Sequence, residues 1–190
     1  MGVMKMKRFA FRICVLLALA AVVTAVPAFS QVTVIFTRHA EKAATPLKDP
    51  PLTEAGKQRA AALASMLADS GVDAIYTTEL QRTQQTAAPL AARVRVKPTV
   101  LPANDTAALV HAIRARHSGV VVVVGHSNTL PDIISALGGP QLDISDSQYD
   151  NLFVLTVGTS QSSLLRLHYG DASPVSATST HDGMNMPPKN

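Results

Sequence analysis

Three short segments of this sequence carry residue types that handle anions. Arg38-His39 follows the β-branched run Val32 to Phe36, and Gly125-His126-Ser127-Asn128 follows five consecutive valines, Val120 to Val124. Arg82 stands just past a third short run, Ala74 to Thr77. Guanidinium forks match phosphate oxygens bidentately, and helix N-termini add oriented backbone donors. A neutral imidazole can attack phosphorus and form a covalent intermediate when a hydrogen bond at its other nitrogen fixes the tautomer. Phosphoryl transfer then asks mainly for positioning and charge stabilisation, which Arg38, Arg82 and a protonated His126 would supply around a nucleophilic His39.

Other chemistries fit the residues less well. His39, Glu41 and His126 could cluster, but no His-x-x-x-His or Glu-x-x-His pair is present, and two nearby arginines repel a dication. No metal or other cofactor is therefore expected. Ser127 lacks the second glycine of a Gly-x-Ser-x-Gly elbow. His111 and His117, six apart on a predicted helix, fall on different faces and read as surface residues. His181, Met184 and Met186 could touch copper, but they sit in an aperiodic terminal stretch that reads as tail.

For these segments to meet, the chain must bring the ends of several strands to one edge. Val32 to Phe36 reads as a buried strand, followed by a loop from Ala43 to Pro51 with three prolines. Thr53 can cap a helix in which Ala60, Leu63, Ala64 and Leu67 recur at helical spacing, ending by Gly71. Ala74 to Thr77 is a second strand, Gln81 to Val94 a second helix, and Val96 to Leu101 a weak third strand. Asn104 or Asp105 can cap a helix carrying Leu109, Val110 and Ile113. The valine run, apolar on both faces, suits a central strand of a parallel sheet. Leu130, Ile133, Ile134 and Leu137 place another helix before Gly138-Gly139, and Leu152 to Val157 and Ser163 to Tyr169 read as strands at or near an edge. This alternation predicts an α/β sandwich with a largely parallel central sheet, whose functional crevice lies at the carboxyl ends of the strands.

The charge balance speaks to destination. Of 17 Lys and Arg against 13 Asp and Glu in 190 residues, four (Lys5, Lys7, Arg8 and Arg12) precede the 14-residue apolar run Ile13 to Val26. A basic head, a short apolar middle and the small residues Ala28 and Ser30 read as a secretory signal over 1–30, too short to span a bilayer, which needs about 20 residues. Cleavage after Ser30 would leave 13 basic and 13 acidic residues, a net charge of zero. The pI near 9.5 then says nothing about nucleic acid, and the absence of Trp removes a common stacking platform. The expected layout is a signal at 1–30, one domain at 31–170 and a disordered tail at 171–190, periplasmic or secreted, with no membrane span after cleavage. Cys14, the single cysteine, lies within the signal.

Arg38-His39-Ala40-Glu41, Arg82-Thr83 with Thr86-Ala87 after it, and Gly125-His126-Ser127-Asn128 together resemble the histidine phosphatase superfamily, in its phosphoglycerate-mutase-like branch. The resemblance runs from about Val32 to Tyr169 and implies a three-layer α/β/α sandwich. It also implies that His39 is phosphorylated during turnover, that Arg38 and Arg82 hold the phosphoryl oxygens, and that His126 completes the pocket. The implied activity is that of a phosphatase acting on a small phosphorylated substrate or a phosphorylated protein side chain. A non-catalytic phosphoryl-binding module of the same fold is the alternative, and a mutase is disfavoured by short loops that would not shield its intermediates. Two departures stand out. Ala40 replaces a glycine common in the family, and no Glu lies between Arg82 and His126, where many members carry the acid for the leaving group. Asp105, the only acidic residue in that interval, competes for this role with helix capping; Glu41 could serve instead or pair with Arg59 or Lys42.

Overall fold

A strand of five valines needs an apolar layer on each side, and both layers form. In a computed structural model, which describes residues 31–158 and 162–173, the valines lie in β4 (Gly119–Gly125), in the interior of a six-stranded sheet. The other strands are β1 (Val32–Arg38), β2 (Val72–Thr78), β3 (Thr99–Leu101), β5 (Asn151–Val157) and β6 (Ser163–His168). Helices α1 (Glu54–Met66), α2 (Gln81–Val94), α3 (Thr106–Arg114) and α4 (Leu130–Ala136) alternate with them. The expected signal at 1–30 and the stretch carrying His181, Met184 and Met186 lie outside the described residues.

Alternation along the strands divides the core. Val121 and Val123 join Val34 and Phe36 of β1 in packing against Leu109 and Ile113 of α3 and Ile133 and Ile134 of α4. Val122 and Val124 join Ile35 on the opposite face, against Leu63 of α1 and Leu90 of α2. Each such side chain contributes about 1.5–3 kcal/mol by leaving water. The result is the α/β/α sandwich that the sequence pattern predicts.

The sheet order is β3-β2-β4-β1-β5-β6, with the first four strands parallel, β5 antiparallel to β1, and β6 antiparallel to β5. The last two segments lie at and next to an edge as predicted, β6 forming the edge and β5 pairing between it and β1. Boundaries differ where caps intervene. β3 begins at Thr99 rather than Val96, because Arg95 adopts a left-handed conformation (φ 58°) and the Val96 N–H is taken by the carbonyl of Ala91 to close α2. Thr53 caps α1 as expected, its hydroxyl accepting from the Gly56 N–H at 3.1 Å. Of the two candidate caps for α3, Asp105 is the one used: its Oδ1 accepts from the Ala108 N–H at 3.0 Å. Asp171 to Ser173, read as the start of the tail, are described. The Ser173 hydroxyl accepts from the N–H groups of Tyr149 (2.8 Å) and Asp150 (3.1 Å). Among the described residues no helix is long and apolar enough to cross a membrane.

Candidate active site

Because β2, β4 and β1 are parallel neighbours, their carboxyl ends share one edge, and all three anion-handling segments meet there. Arg38 lies opposite Gly125 in the β1–β4 ladder, and the His39 N–H extends that ladder by donating to the Gly125 carbonyl at 2.9 Å. This register sets the two imidazoles side by side, with ring centroids 5.4 Å apart and planes at 61°. A Cβ at Gly125 would come within 2.7 Å of Leu130 Cδ2 at the start of α4, so a side chain there would force the buried Leu130 to shift. Arg82 enters from the first turn of α2. That turn is fixed by the Thr83 hydroxyl, which donates to Leu80 O at 2.8 Å, and by Asp49, whose Oδ1 accepts from the Gln81 N–H at 3.0 Å. Arg38, His39, Arg82 and His126 line one open crevice of about 630 Å³, with Lys42, Asn104, Asn128 and Asp146 further out.

The His39 ring is aimed by its neighbour. Nδ1 lies 2.8 Å from the Ala40 carbonyl, which can only accept, so Nδ1 carries the proton and Nε2 is left with a free lone pair. Burial pushes the His39 pKa down to about 3, with Arg38, His126 and Arg82 adding to the effect and the Ala40 carbonyl opposing it. A neutral, nucleophilic imidazole is therefore the resting state. His126 is also pushed down, to about 4, by burial and then by Arg82. The expected protonated His126 is thus corrected for the resting site: burial and the two arginines outweigh the opposing Glu79 carboxylate and disfavour a third positive charge. His126 Nε2 instead shares a hydrogen bond with the Thr78 hydroxyl at 3.1 Å.

The two arginines are held differently. Arg38 Nη1 donates to the Asp146 carbonyl at 2.6 Å, its guanidinium lies 4.3 Å from the Tyr149 ring centre, and Nη2 lies 3.4 Å from the Asp146 carboxylate. Arg82 has a looser neighbour in Asp49, 4.0 Å from Nη1. In both residues Nε is buried with no hydrogen-bond partner among the described residues. Leaving such a donor unmade costs about 1–3 kcal/mol, so an oxyanion between the two forks would recover part of that cost.

Neither acid candidate from the sequence reaches this crevice. Asp105 caps α3 and borders a separate narrow cavity of about 30 Å³ beside Leu101 and Leu109. Glu41 makes the pair with Arg59 rather than Lys42: Arg59 Nε donates to its two oxygens at 2.9 and 3.0 Å, and Nη2 donates at 2.7 Å. Arg59 Nη1 also donates to the Tyr169 carbonyl at 3.0 Å. This cluster clamps the segment that follows His39. Ala40 N–H donates to the Thr86 hydroxyl at 2.9 Å, the Glu41 carbonyl accepts from the Thr53 N–H at 2.9 Å, and Gly56 packs directly on that carbonyl. The methyl of Ala40 fits a fully buried niche with Leu52 and Ala60, so the departure from glycine is accommodated.

Sequence reasoning missed Asp146 and Tyr149. Both lie in the aperiodic stretch between α4 and β5, where no spacing marks a residue as facing the crevice. Among the described residues no group of three or more His, Cys, Asp and Glu side chains is placed to share a metal ion.

With this geometry in place, comparison with known proteins is informative. The family model of the histidine phosphatase superfamily, branch 1, matches residues 34–105, a stretch that holds Arg38, His39 and Arg82 and stops short of His126. A PE-PGRS family protein, PE_PGRS11 of Mycobacterium tuberculosis (strain ATCC 25618 / H37Rv), is 49% identical over 59 residues, covering 30% of this chain and 10% of that protein. The chain thus spans only a small part of that relative. Similar solved structures include a putative α-ribazole-5′-P phosphatase from Escherichia coli str. K-12 substr. MG1655, with a TM-score of 0.60 and 16% identity over 72% of this chain and 96% of that one. The protein histidine phosphatase SixA complexed with tungstate gives 0.59 and 17%, over 72% and 96%. A phosphoserine phosphatase mutant from Entamoeba histolytica in complex with phosphoserine gives 0.56 and 14%, over 70% and 94%. At these identities the likeness is one of fold, and the fold is that of the phosphoglycerate-mutase-like histidine phosphatases.

Proposed function

We propose that this chain, in which Arg38, His39 and Arg82 fall within a stretch of the histidine phosphatase pattern, is an exported phosphatase. It hydrolyses phosphomonoesters or related phosphoryl compounds through a phosphohistidine at His39, without a metal. The observation that carries this reading is the tautomer lock: Nδ1–H donates to the Ala40 carbonyl, so the Nε2 lone pair is free beside two guanidinium forks. In the first step Nε2 attacks phosphorus, the bond to the leaving group breaks, and its electron pair departs with that group. In the second, water attacks the phosphohistidine, the P–N pair returns to Nε2, and phosphate leaves with the water's oxygen and protons. Arg38 and Arg82 offset the charge on the equatorial oxygens throughout, the role a metal plays elsewhere. A bound phosphoryl dianion reverses the local field at His126, which can then take up the proton the resting site withholds.

The crevice suits a small phosphorylated molecule or a phosphorylated side chain at a protein surface. Export rests on the basic and apolar pattern of 1–30. The decisive experiment offers p-nitrophenyl phosphate to the purified protein with EDTA present, beside His39→Ala. Turnover that needs His39 and ignores the chelator supports the reading; turnover surviving His39→Ala refutes the mechanism. A second reading, a binding module without turnover, draws on the absence of Glu41 and Asp105 from the crevice. It predicts phosphate binding with no hydrolysis of any donor.

A further inference from the structure

Asp146 is the one acid among the described residues that line the crevice, and its position differs from that of a phosphoryl ligand. Arg38, His39 and His126 are buried, whereas the Asp146 side chain is 88% exposed, so its carboxylate stands at the mouth, outside the seat of the phosphoryl group. It is nevertheless fixed: Oδ1 accepts from the Ser127 hydroxyl at 2.6 Å and lies 3.4 Å from Arg38 Nη2. Its backbone carbonyl is itself a partner of Arg38, at 2.6 Å. The Ser127 hydrogen bond and the Arg38 charge hold this carboxyl below the usual carboxylate range, so it is ionised at neutral pH.

An ionised carboxylate cannot hand a proton to a departing alkoxide. It can accept a hydrogen bond from a leaving group that carries its own N–H. We propose that Asp146 is a specificity-determining residue that selects phosphoramidates, whose leaving amine or imidazole can be protonated before the P–N bond breaks, over alkyl phosphate esters. This rests on the phosphatase reading and names the substrate class for it.

The step balances without a protein acid. Before the chemistry the amine nitrogen of a phosphoramidate, or the distal ring nitrogen of a phosphoimidazole, carries a proton taken up from solvent, and the carboxylate stabilises that cationic form. His39 Nε2 attacks phosphorus, the P–N bond breaks, and its pair neutralises the nitrogen, which leaves as a neutral amine or imidazole. An alkyl ester lacks this route, because its bridging oxygen is not basic enough to arrive protonated. Asp146 also sets an adverse charge beside the two negative charges of an ester dianion, which adds to the discrimination.

The test compares kcat/KM for phosphoramidate, N-phosphoimidazole, p-nitrophenyl phosphate and glycerol phosphate in the wild type and in Asp146→Asn. The amide oxygen can still accept from Ser127, so the loop keeps that contact. The expected result is a preference for the two P–N donors over glycerol phosphate in the wild type. In Asp146→Asn the ratio of P–N donor to p-nitrophenyl phosphate turnover should fall by about 10- to 100-fold, the range of one charge-assisted hydrogen bond. An unchanged ratio, or glycerol phosphate turned over as fast as phosphoramidate, overturns the role of Asp146 while leaving the phosphatase intact. A wild type inert toward p-nitrophenyl phosphate as well as the P–N donors overturns both.

Discussion

Two histidines buried neutral beside two arginines should make this protein acid-sensitive in a calculable way. In the unfolded chain both imidazoles titrate near 6.5, whereas folding pushes His39 to about 3 and His126 to about 4. Both folded values are depressed, so the unfolded state binds more protons as the pH drops below about 6.5, and stability falls with pH. At pH 5 the unfolded imidazole lies about 1.5 pH units below its pKa, which at about 1.4 kcal/mol per unit costs the fold about 2 kcal/mol for each histidine. A total of about 4 kcal/mol is a large share of the 5–15 kcal/mol typical of a domain. Urea unfolding at pH 7, 6 and 5 of the wild type, His39→Asn and His126→Asn measures the effect. Carboxylates titrate in all three proteins and cancel in the differences. Each variant should gain about 2 kcal/mol relative to the wild type between pH 7 and pH 5. Parallel pH profiles for the three proteins would refute the claim that these imidazoles are held neutral.

Glu41→Ala should destabilise by about 3 kcal/mol in thermal or urea unfolding, because it strands the buried Arg59 guanidinium; a loss under about 1 kcal/mol would contradict that role. Asp105→Ala should cost about 1 kcal/mol as a lost helix cap while leaving kcat for p-nitrophenyl phosphate unchanged. A large drop in kcat there would reinstate Asp105 as the leaving-group acid. Gly56→Ala should cost on the order of 1–3 kcal/mol by forcing a methyl against the Glu41 carbonyl, and should lower activity through the displaced nucleophile segment.

Much of this site is legible because strand ends are legible. Val32 to Phe36 and the valine run announce buried strands by composition, and topology then dictates that Arg38-His39 and Gly125-His126 emerge together. Arg82 follows by the same logic from the start of α2. What periodicity does not encode is which acid reaches the crevice. Asp105 sits in the expected interval but its carboxylate is consumed by the Ala108 N–H, a local bond that competes with any distant role. Glu41 adjoins the nucleophile in sequence yet turns away to Arg59, as alternation of side chains after a strand allows. Asp146 arrives through an irregular connection whose path depends on long-range bonds to Arg38, so no local signal marks it. The protonation of His126 was likewise hidden, since it depends on burial and on the summed charge of groups remote in sequence.

The central claim is a covalent phosphohistidine at His39, and trapping it is the most direct test. The protein is mixed with phosphoramidate, quenched in base within milliseconds, digested, and mapped by mass spectrometry, with acid treatment of a parallel sample. A single base-stable, acid-labile phosphoryl group on His39, absent from His39→Ala, is the expected result. Phosphate on His126 or Ser127, or full turnover with no phosphorylated peptide at any quench time, would contradict the account.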